Sequence, residues 1–232
     1  MGLDGHPYHP LKGGEMTTNS KAKIHTVYKT KDGERVPSVT TILGILNKPA
    51  LLEWAWKCGC DGLDYKAIRD QTADIGKLAH YMVMCHLLEQ KTDTSEYSAE
   101  DIDKAENSFL KYLEWEKQHD VEPILVESAL VSENYKFGGQ IDCYCRLDGS
   151  PTLIDFKTGK AIYPEYFHQL AAYEMLLSEN GYEVDQSRIL RIGRNDDEGF
   201  EDRFIGKLDK HWELFLNCQR VYELQKELRR DK

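Results

Sequence analysis

Residues 139–157 read GQIDCYCRLDGSPTLIDFK. Two strand-like runs flank the dipeptide Asp148-Gly149, which is a strong signal for a β-hairpin. Because side chains alternate between the two faces of a strand, Asp142, Asp155 and Lys157 should project from the same face of this hairpin. The sequence therefore predicts an antiparallel strand pair that carries two carboxylates and an amine on one side.

Two registers are open for this hairpin. A two-residue turn places Leu147 opposite Ser150 and Asp142 opposite Asp155, whereas a loop extended to residue 151 places Asp142 opposite Lys157. Opposed carboxylates repel each other, so the arrangement is costly unless a cation lies between them. Aspartate oxygens suit Mg²⁺ or Mn²⁺. We favour a divalent-metal site with Lys157 beside it, and a solvated strand face is the alternative.

Four further side chains extend the pattern. Glu127 lies in the apolar run 124–131, where a buried carboxylate needs either a metal or the partner of a structural ion pair. His80 lies on an amphipathic helix, where it is either a ligand or a structural histidine. Gln169 and Tyr173 are four residues apart on one helix, so they form one polar ridge, which could equally be ordinary surface.

In their order and spacing these motifs resemble the PD-(D/E)xK nuclease superfamily, in particular its RecB-type branch, which includes phage exonucleases. The resemblance covers roughly residues 74–175. It is carried by Gly76-x-x-x-His80, Glu127 on a strand, Gly139-x-x-Asp142, Asp155-Phe156-Lys157 and Gln169-x-x-x-Tyr173.

The resemblance implies a role for each residue. One or two Mg²⁺ or Mn²⁺ ions would be held by His80, Asp142, Asp155 and the carbonyl of Phe156. Lys157 would assist the hydrolytic water, with Glu127 in the same catalytic set. Gln169 and Tyr173 would contact nucleic acid near the scissile phosphate. Iron–sulfur members of this branch carry a cysteine trio after the Gln-Tyr helix, where this chain has only Cys218, so no iron–sulfur cluster is expected.

The pattern of apolar residues divides the chain into a helical and a sheet-containing part. We expect a flexible tail over residues 1–22 and a single nuclease domain over 23–232, with a helical part at 38–120 and the catalytic sheet and its helices at 121–232. The resemblance adds a restriction-endonuclease-like core to this α/β fold, a mixed central β-sheet flanked by helices. Helical patterns occupy 51–57, 64–70, 74–90, 99–119, 164–180 and 207–230, and strand patterns occupy 124–131, 137–147, 152–157, 187–192 and 201–205.

Composition excludes several classes of protein. The 232 residues carry 30 basic and 40 acidic side chains, a net charge of −10, which excludes a nucleic-acid binder held by bulk positive charge. A local basic path is not excluded, and Arg188, Arg191 and Arg194 are candidates for it. Trp54 and Trp56 could stack on bases, although a place in the helix core is favoured. No run approaches the ~20 apolar residues of a membrane span, so no membrane is expected.

The sequence thus predicts a free-standing Mg/Mn-dependent deoxyribonuclease, an exonuclease rather than an endonuclease by resemblance alone, acting on single- or double-stranded DNA ends in recombination, repair or phage DNA processing. Six cysteines without a Cys-x-x-Cys pair indicate a reducing cytoplasm, that of a bacterial cell or a phage-infected host. A homo-oligomer or a protein partner in recombination is compatible with this reading. The alternatives are a catalytically inactive nuclease-fold module that binds nucleic acid and an accessory subunit of a larger nuclease complex.

Overall fold

A computed structural model describes residues 26–230 of the chain, so the expected tail over residues 1–22 lies outside the described residues. The first described element is a small antiparallel hairpin, β1 (Tyr28–Lys29) and β2 (Arg35–Val36). Four helices follow it, which confirms the predicted helical part. They are α1 (Val39–Leu43), α2 (Pro49–Cys60), α3 (Tyr65–Leu87) and α4 (Ala99–Glu116).

The second half forms a five-stranded sheet in the order β3-β4-β5-β6-β7. All neighbouring strands are antiparallel except β5 and β6, which are parallel because a helix crosses over between them. The mixed sheet flanked by helices is therefore confirmed. Its elements are β3 (Val121–Ser132), β4 (Phe137–Leu147), β5 (Ser150–Lys157), α5 (Pro164–Glu179), β6 (Gln186–Ile192), β7 (Phe200–Ile205) and α6 (Asp209–Arg230).

The hairpin between β4 and β5 adopts the register of the two-residue turn. Leu147 faces Ser150, and both Asp148 and Gly149 have positive φ, 51° and 84°. Positive φ at both central residues is what the tightest hairpin turns require, and Asp-Gly accommodates it at low cost. The paired residues end at Cys143 and Ile154, one step before the level of Asp142 and Asp155. The two strands therefore separate at the level of the predicted site.

The helices α1, α5 and α6 pack on one face of the sheet, whereas α3 and α4 pack on the other. Phe156 belongs to the α4 side and is buried together with Cys143 and Cys145. Ile141 packs on the α5 side even though it is only two residues from Cys143. The regular alternation of side chains along β4 thus changes at Asp142, which lies between them.

Helix α3 is longer than the sequence pattern indicates. The patterns at 64–70 and 74–90 belong to one continuous helix of 23 residues, because neither glycine nor proline occurs at 71–73 to interrupt it. The Asp64 carboxylate caps its first turn by accepting from the backbone of Lys66 and Ala67. Gly76 lies within it, where a Cβ would come 2.6 Å from the Thr158 hydroxyl. Glycine therefore lets α3 approach the end of β5 closely. No helix among residues 26–230 is long and apolar enough to cross a membrane.

Candidate active site

Three potential metal ligands come together between helix α3 and the sheet. His80 on α3, Glu127 on β3 and Asp142 on β4 each offer a ligand atom, and these atoms lie within 4.8 Å of one another. The His80 Nδ1 lies 3.8 Å from the Asp142 Oδ2, and the imidazole ring meets the ring of Phe156 edge-on at 6.0 Å. All three side chains are half-buried, so the group is both held by the fold and reachable from outside.

The backbone at Glu127 explains how its side chain reaches this group. Val126 pairs with Cys143 and Ser128 pairs with Ile141, so Glu127 lies opposite Asp142. Its φ is +47°, a left-handed conformation that is rare for a non-glycine residue within a strand. The Gln140 amide donates to both the carboxylate and the backbone carbonyl of Glu127. The irregular backbone and the Gln140 amide together fix the position of this carboxylate.

Asp142 also anchors the neighbouring strand. Its Oδ2 accepts a hydrogen bond of 2.9 Å from the backbone N–H of Phe156, beyond the last backbone pair between β4 and β5. In a strand the N–H and the C=O of one residue point to the same side. The Phe156 carbonyl therefore also faces β4, at the point where the two strands separate.

Asp155 and Lys157 form a buried ion pair beside the group of three ligands. The Asp155 Oδ2 lies 2.6 Å from the Lys157 Nζ, and the Asp155 side chain is 1% exposed. Among the described residues neither Asp155 oxygen has a hydrogen-bond partner of acceptable geometry, because the contact with Lys157 is close but poorly angled. The Lys157 ammonium also lies 5.0 Å from the centre of the Tyr166 ring.

The two members of this pair respond differently to their environment. Burial raises the pKa of Asp155 to about 6, with a further upward contribution from Asp142, although the charge of Lys157 opposes the shift. Burial alone would lower the pKa of Lys157, but Asp155 and Asp142 outweigh it and raise the pKa above its usual value. Lys157 faces two carboxylates and is less buried than Asp155, so the pKa of the lysine and that of the aspartate can both be raised. The site therefore holds an ammonium that stays protonated at neutral pH and an aspartate that loses its proton at a higher pH than usual.

Tyr173 reaches the site from helix α5. Its hydroxyl accepts a 2.7 Å hydrogen bond from the Gln169 amide, and the side chain is only 5% exposed. Gly139 makes room for the ring, because a Cβ there would come 2.7 Å from Tyr173 Cε1. Burial first, and then Asp142 and Asp155, raise the pKa of Tyr173 well above its usual value. The alternative that Tyr173 is ordinary surface is therefore wrong.

The structure thus brings most of the predicted residues together, in three adjoining sets. The first set contains the possible ligands His80, Glu127 and Asp142, and the second is the Asp155–Lys157 pair with the backbone of Phe156 beside it. Gln169 and Tyr173 form the third. Asp155 is not among the three mutually close ligand atoms, because its carboxylate lies against Lys157.

Two residues near the site were missed by sequence reasoning. Gln140 orients Glu127. It lies two residues before Asp142 on β4, and this strand spacing is the signal that could have identified it. Tyr166 covers Lys157, and its position three residues before Gln169 on α5 could have drawn attention to it.

Two expectations about nucleic-acid contacts need correction. The candidate basic path on β6 is not available, because Arg188 is paired with Asp202 at 2.6 Å, Arg191 with Glu201 at 3.4 Å, and Arg194 with Glu198. The placement of both tryptophans in the helix core is wrong for Trp56, which is 70% exposed. Trp54 is half-buried, with its ring 6.3 Å from that of Tyr65.

The donor set fits a divalent cation. It combines carboxylate oxygens and one imidazole, which suits Mg²⁺ or Mn²⁺. The Asp155 carboxylate is fully buried without a well-formed hydrogen bond, and Lys157 offsets that cost only in part, so a divalent cation would stabilise it further. His80, Glu127, Asp142 and Asp155 are therefore a chemically reasonable cation site.

The chain is similar to a known protein family in sequence and to solved structures in fold. A family model described as the PD-(D/E)XK nuclease superfamily matches residues 50–231. The chain is similar in structure to a candidate exonuclease from Eubacterium rectale, with 13% identity, a TM-score of 0.47 and 65% coverage of each chain. It is also similar to the alkaline exonuclease LHK-Exo from Laribacter hongkongensis, with 12% identity and a TM-score of 0.35, over 71% of this chain and 100% of that one. The comparison with curated proteins gives no match.

Proposed function

This chain belongs to the PD-(D/E)xK nuclease superfamily, and from that premise we propose that it is a divalent-metal-dependent nuclease that hydrolyses phosphodiester bonds of DNA, working from strand ends. The family match and the five-stranded mixed sheet confirm the restriction-endonuclease-like fold. The choice of exonuclease action follows from the RecB-type order of the motifs in the sequence.

The observation that carries the proposal is the buried Asp155–Lys157 pair beside three further possible ligands. A fold gains no stability from a fully buried carboxylate whose pKa is raised to about 6, so its retention calls for another reason. A catalytic cation site supplies one. Together with Asp155, the side chains of His80, Glu127 and Asp142 would hold one or two Mg²⁺ or Mn²⁺ ions. When bound, such an ion lowers the pKa of a bound water and stabilises negative charge on the phosphoryl group.

Lys157 supplies a fixed positive charge at the same place. Its raised pKa keeps the ammonium protonated at neutral pH. From its position beside Asp155 it would donate hydrogen bonds to the attacking water or to a phosphoryl oxygen, where negative charge develops during hydrolysis.

Gln169 and Tyr173 would hold the nucleic acid against this centre. The raised pKa of Tyr173 keeps its hydroxyl neutral, and a neutral hydroxyl can donate a hydrogen bond to a phosphate oxygen. Since the Gln169 amide already holds that hydroxyl at 2.7 Å, the donor is oriented before the substrate arrives.

The test is degradation of end-labelled linear DNA, single- and double-stranded, compared with closed circles of each, in Mg²⁺, Mn²⁺ or EDTA. We expect metal-dependent loss of the linear substrates, intact circles, and loss of activity in Asp155→Asn and Lys157→Met. Lys104→Met is the matched control, because Lys104 pairs with Glu100 on the surface of α4 and should be dispensable. Cleavage of circles would identify an endonuclease instead. If the wild type binds DNA in both metals without cleaving any substrate, the proposal is wrong and a binding module is the better description.

A further inference from the structure

The last three turns of helix α6 carry an apolar stripe on the side that faces away from the protein. Phe215, Cys218 and Gln219 mark the inner side, since all three are buried. Val221, Leu224 and Leu228 lie on the outer side, with exposed fractions of 45%, 38% and 64%. They follow one another at intervals of three and four residues, so they form one stripe along the helix.

This stripe belongs to a helical segment with few contacts to the body. Every residue from 224 to 230 is exposed. Isolated helix ends gain little stability by themselves, so a helix of this kind usually owes its stability to packing of its apolar side. Scattered exposed apolar residues are ordinary on protein surfaces, whereas three apolar residues in one stripe on a projecting helix mark an interaction surface.

The charges beside the stripe indicate what packs on it. Arg220 and Glu227 line one edge, each 59% exposed; within the helix they pair with each other at 3.6 Å, and Arg220 also lies 4.0 Å from Glu223. Each directly precedes a residue of the stripe, Val221 and Leu228, which are seven residues apart. This is the spacing of one edge of a coiled-coil seam, where flanking charges determine the partner and its orientation.

We propose that this stripe is a homodimer interface, on which α6 of a second copy packs antiparallel. Around a two-fold axis that places Val221 against Leu224 of the second copy, Arg220 lies beside Glu227 of the second copy, and the reverse pair forms at the same time. A parallel pair would instead place Arg220 beside the uncharged Gln225, so the charge of Arg220 favours the antiparallel arrangement. The apolar stripe and its flanking charges are therefore complementary to the same surface of a second copy.

The expected dimer is reversible. The seam runs over about 14 residues from Asn217 to Arg230, roughly 20 Å of helix, which places it at the small end of specific interfaces. The inference is independent of the proposed nuclease chemistry, since none of these residues belongs to the candidate active site.

The test is sedimentation velocity of the full chain over a concentration series, at low and high salt. We expect a monomer–dimer equilibrium for the wild type. Arg220→Glu and Glu227→Arg should each weaken it by about tenfold, because like charges then meet across the seam. The double exchange R220E/E227R restores opposite charges in both pairs, so it should recover wild-type dimerisation.

A second pair of variants separates this surface from the other exposed apolar helix. Leu228→Glu should leave the chain monomeric, whereas Leu52→Glu, at a 71% exposed leucine of α2, should dimerise like the wild type. Circular dichroism confirms that each variant is folded. The proposal is overturned if the wild type is monomeric at every concentration, if the double exchange stays as weak as the single ones, or if only Leu52→Glu prevents dimerisation.

Discussion

The Asp155 carboxylate lies 2.6 Å from the Lys157 ammonium, at a depth where only 1% of the Asp155 side chain meets water. Burial outweighs the attraction of the lysine, so the pKa of the aspartate rises to about 6. One ammonium is therefore not enough to offset the burial of this carboxylate, and a divalent metal ion beside it would lower its pKa further.

This pair predicts that Asp155→Asn stabilises the protein when divalent metal is removed. The folded state binds the Asp155 proton more tightly than the unfolded state, whose pKa is about 4, so this group lowers the stability of the wild type as the pH rises from 4 to 6. The difference between a pKa of about 4 and one of about 6 lowers the free energy of unfolding by at most about 3 kcal/mol above pH 6. Urea unfolding in EDTA should show the variant to be more stable at pH 7.5 and equal to the wild type below pH 4.

The same variant has a second measurable property. Mn²⁺ should raise the melting temperature of the wild type, because a ligand that binds only the folded state stabilises it, and it should have a much smaller effect on Asp155→Asn. A variant that is less stable than the wild type in EDTA at pH 7.5 would show that Asp155 stabilises the fold in its own right.

The positive φ of Glu127 predicts a difference between two substitutions that both remove its carboxylate. Glu127→Gly should be more stable than Glu127→Ala, with a free energy of unfolding about 1 kcal/mol higher, because glycine adopts φ +47° without a steric penalty. Chemical denaturation of the two variants measures the difference, and both should lose nuclease activity. Equal stabilities would mean that the strand relaxes to an ordinary conformation once the glutamate is gone.

Gly139 predicts that one methyl group disturbs both folding and activity. Gly139→Ala places a Cβ 2.7 Å from Tyr173 Cε1 and 2.9 Å from Leu176 Cδ1, so the α5 side chains must shift at a cost of about 1–3 kcal/mol. The control is Gly59→Ala in α2, where a Cβ meets nothing within 4 Å and alanine should stabilise the helix by about 0.5–1 kcal/mol. Thermal unfolding and nuclease rates together test the pair of variants, and a Gly139→Ala protein with wild-type values for both would contradict the expectation.

The hydrogen bond between Gln169 and Tyr173 predicts that their substitutions are not additive. Gln169→Ala and Tyr173→Phe should each lower kcat/KM by about tenfold, and the double variant should lose little more than either single one, because the two groups act as one donor. Independent roles would instead multiply the two losses. A double-mutant cycle on a linear DNA substrate distinguishes these results.

Much of this architecture is readable from local patterns. Asp148-Gly149 predicts the hairpin but leaves two registers open; the structure adopts the two-residue turn, which brings Asp142 level with Asp155. The resemblance drawn from five short motifs also identifies the family, which the match over residues 50–231 confirms.

Other features depend on contacts between distant residues and have no local signal. The acidic partners of Arg188, Arg191 and Arg194 lie on β7 and in the turn before it, so the sequence alone cannot show that these charges are neutralised. Trp56 has a regular helical spacing, yet whether a helix is covered depends on its neighbours. The left-handed backbone at Glu127 likewise lies opposite Asp142, where the alternation along β4 changes.

The candidate site draws its side chains from α3, β3, β4 and β5, spread over residues 80–157. A chain emerging from the ribosome presents His80 long before Lys157 is synthesised, and the sheet contacts that bring them together are long-range. A truncated or partly folded chain therefore lacks the assembled centre altogether. The candidate site therefore becomes complete only when folding of the newly made protein is nearly finished.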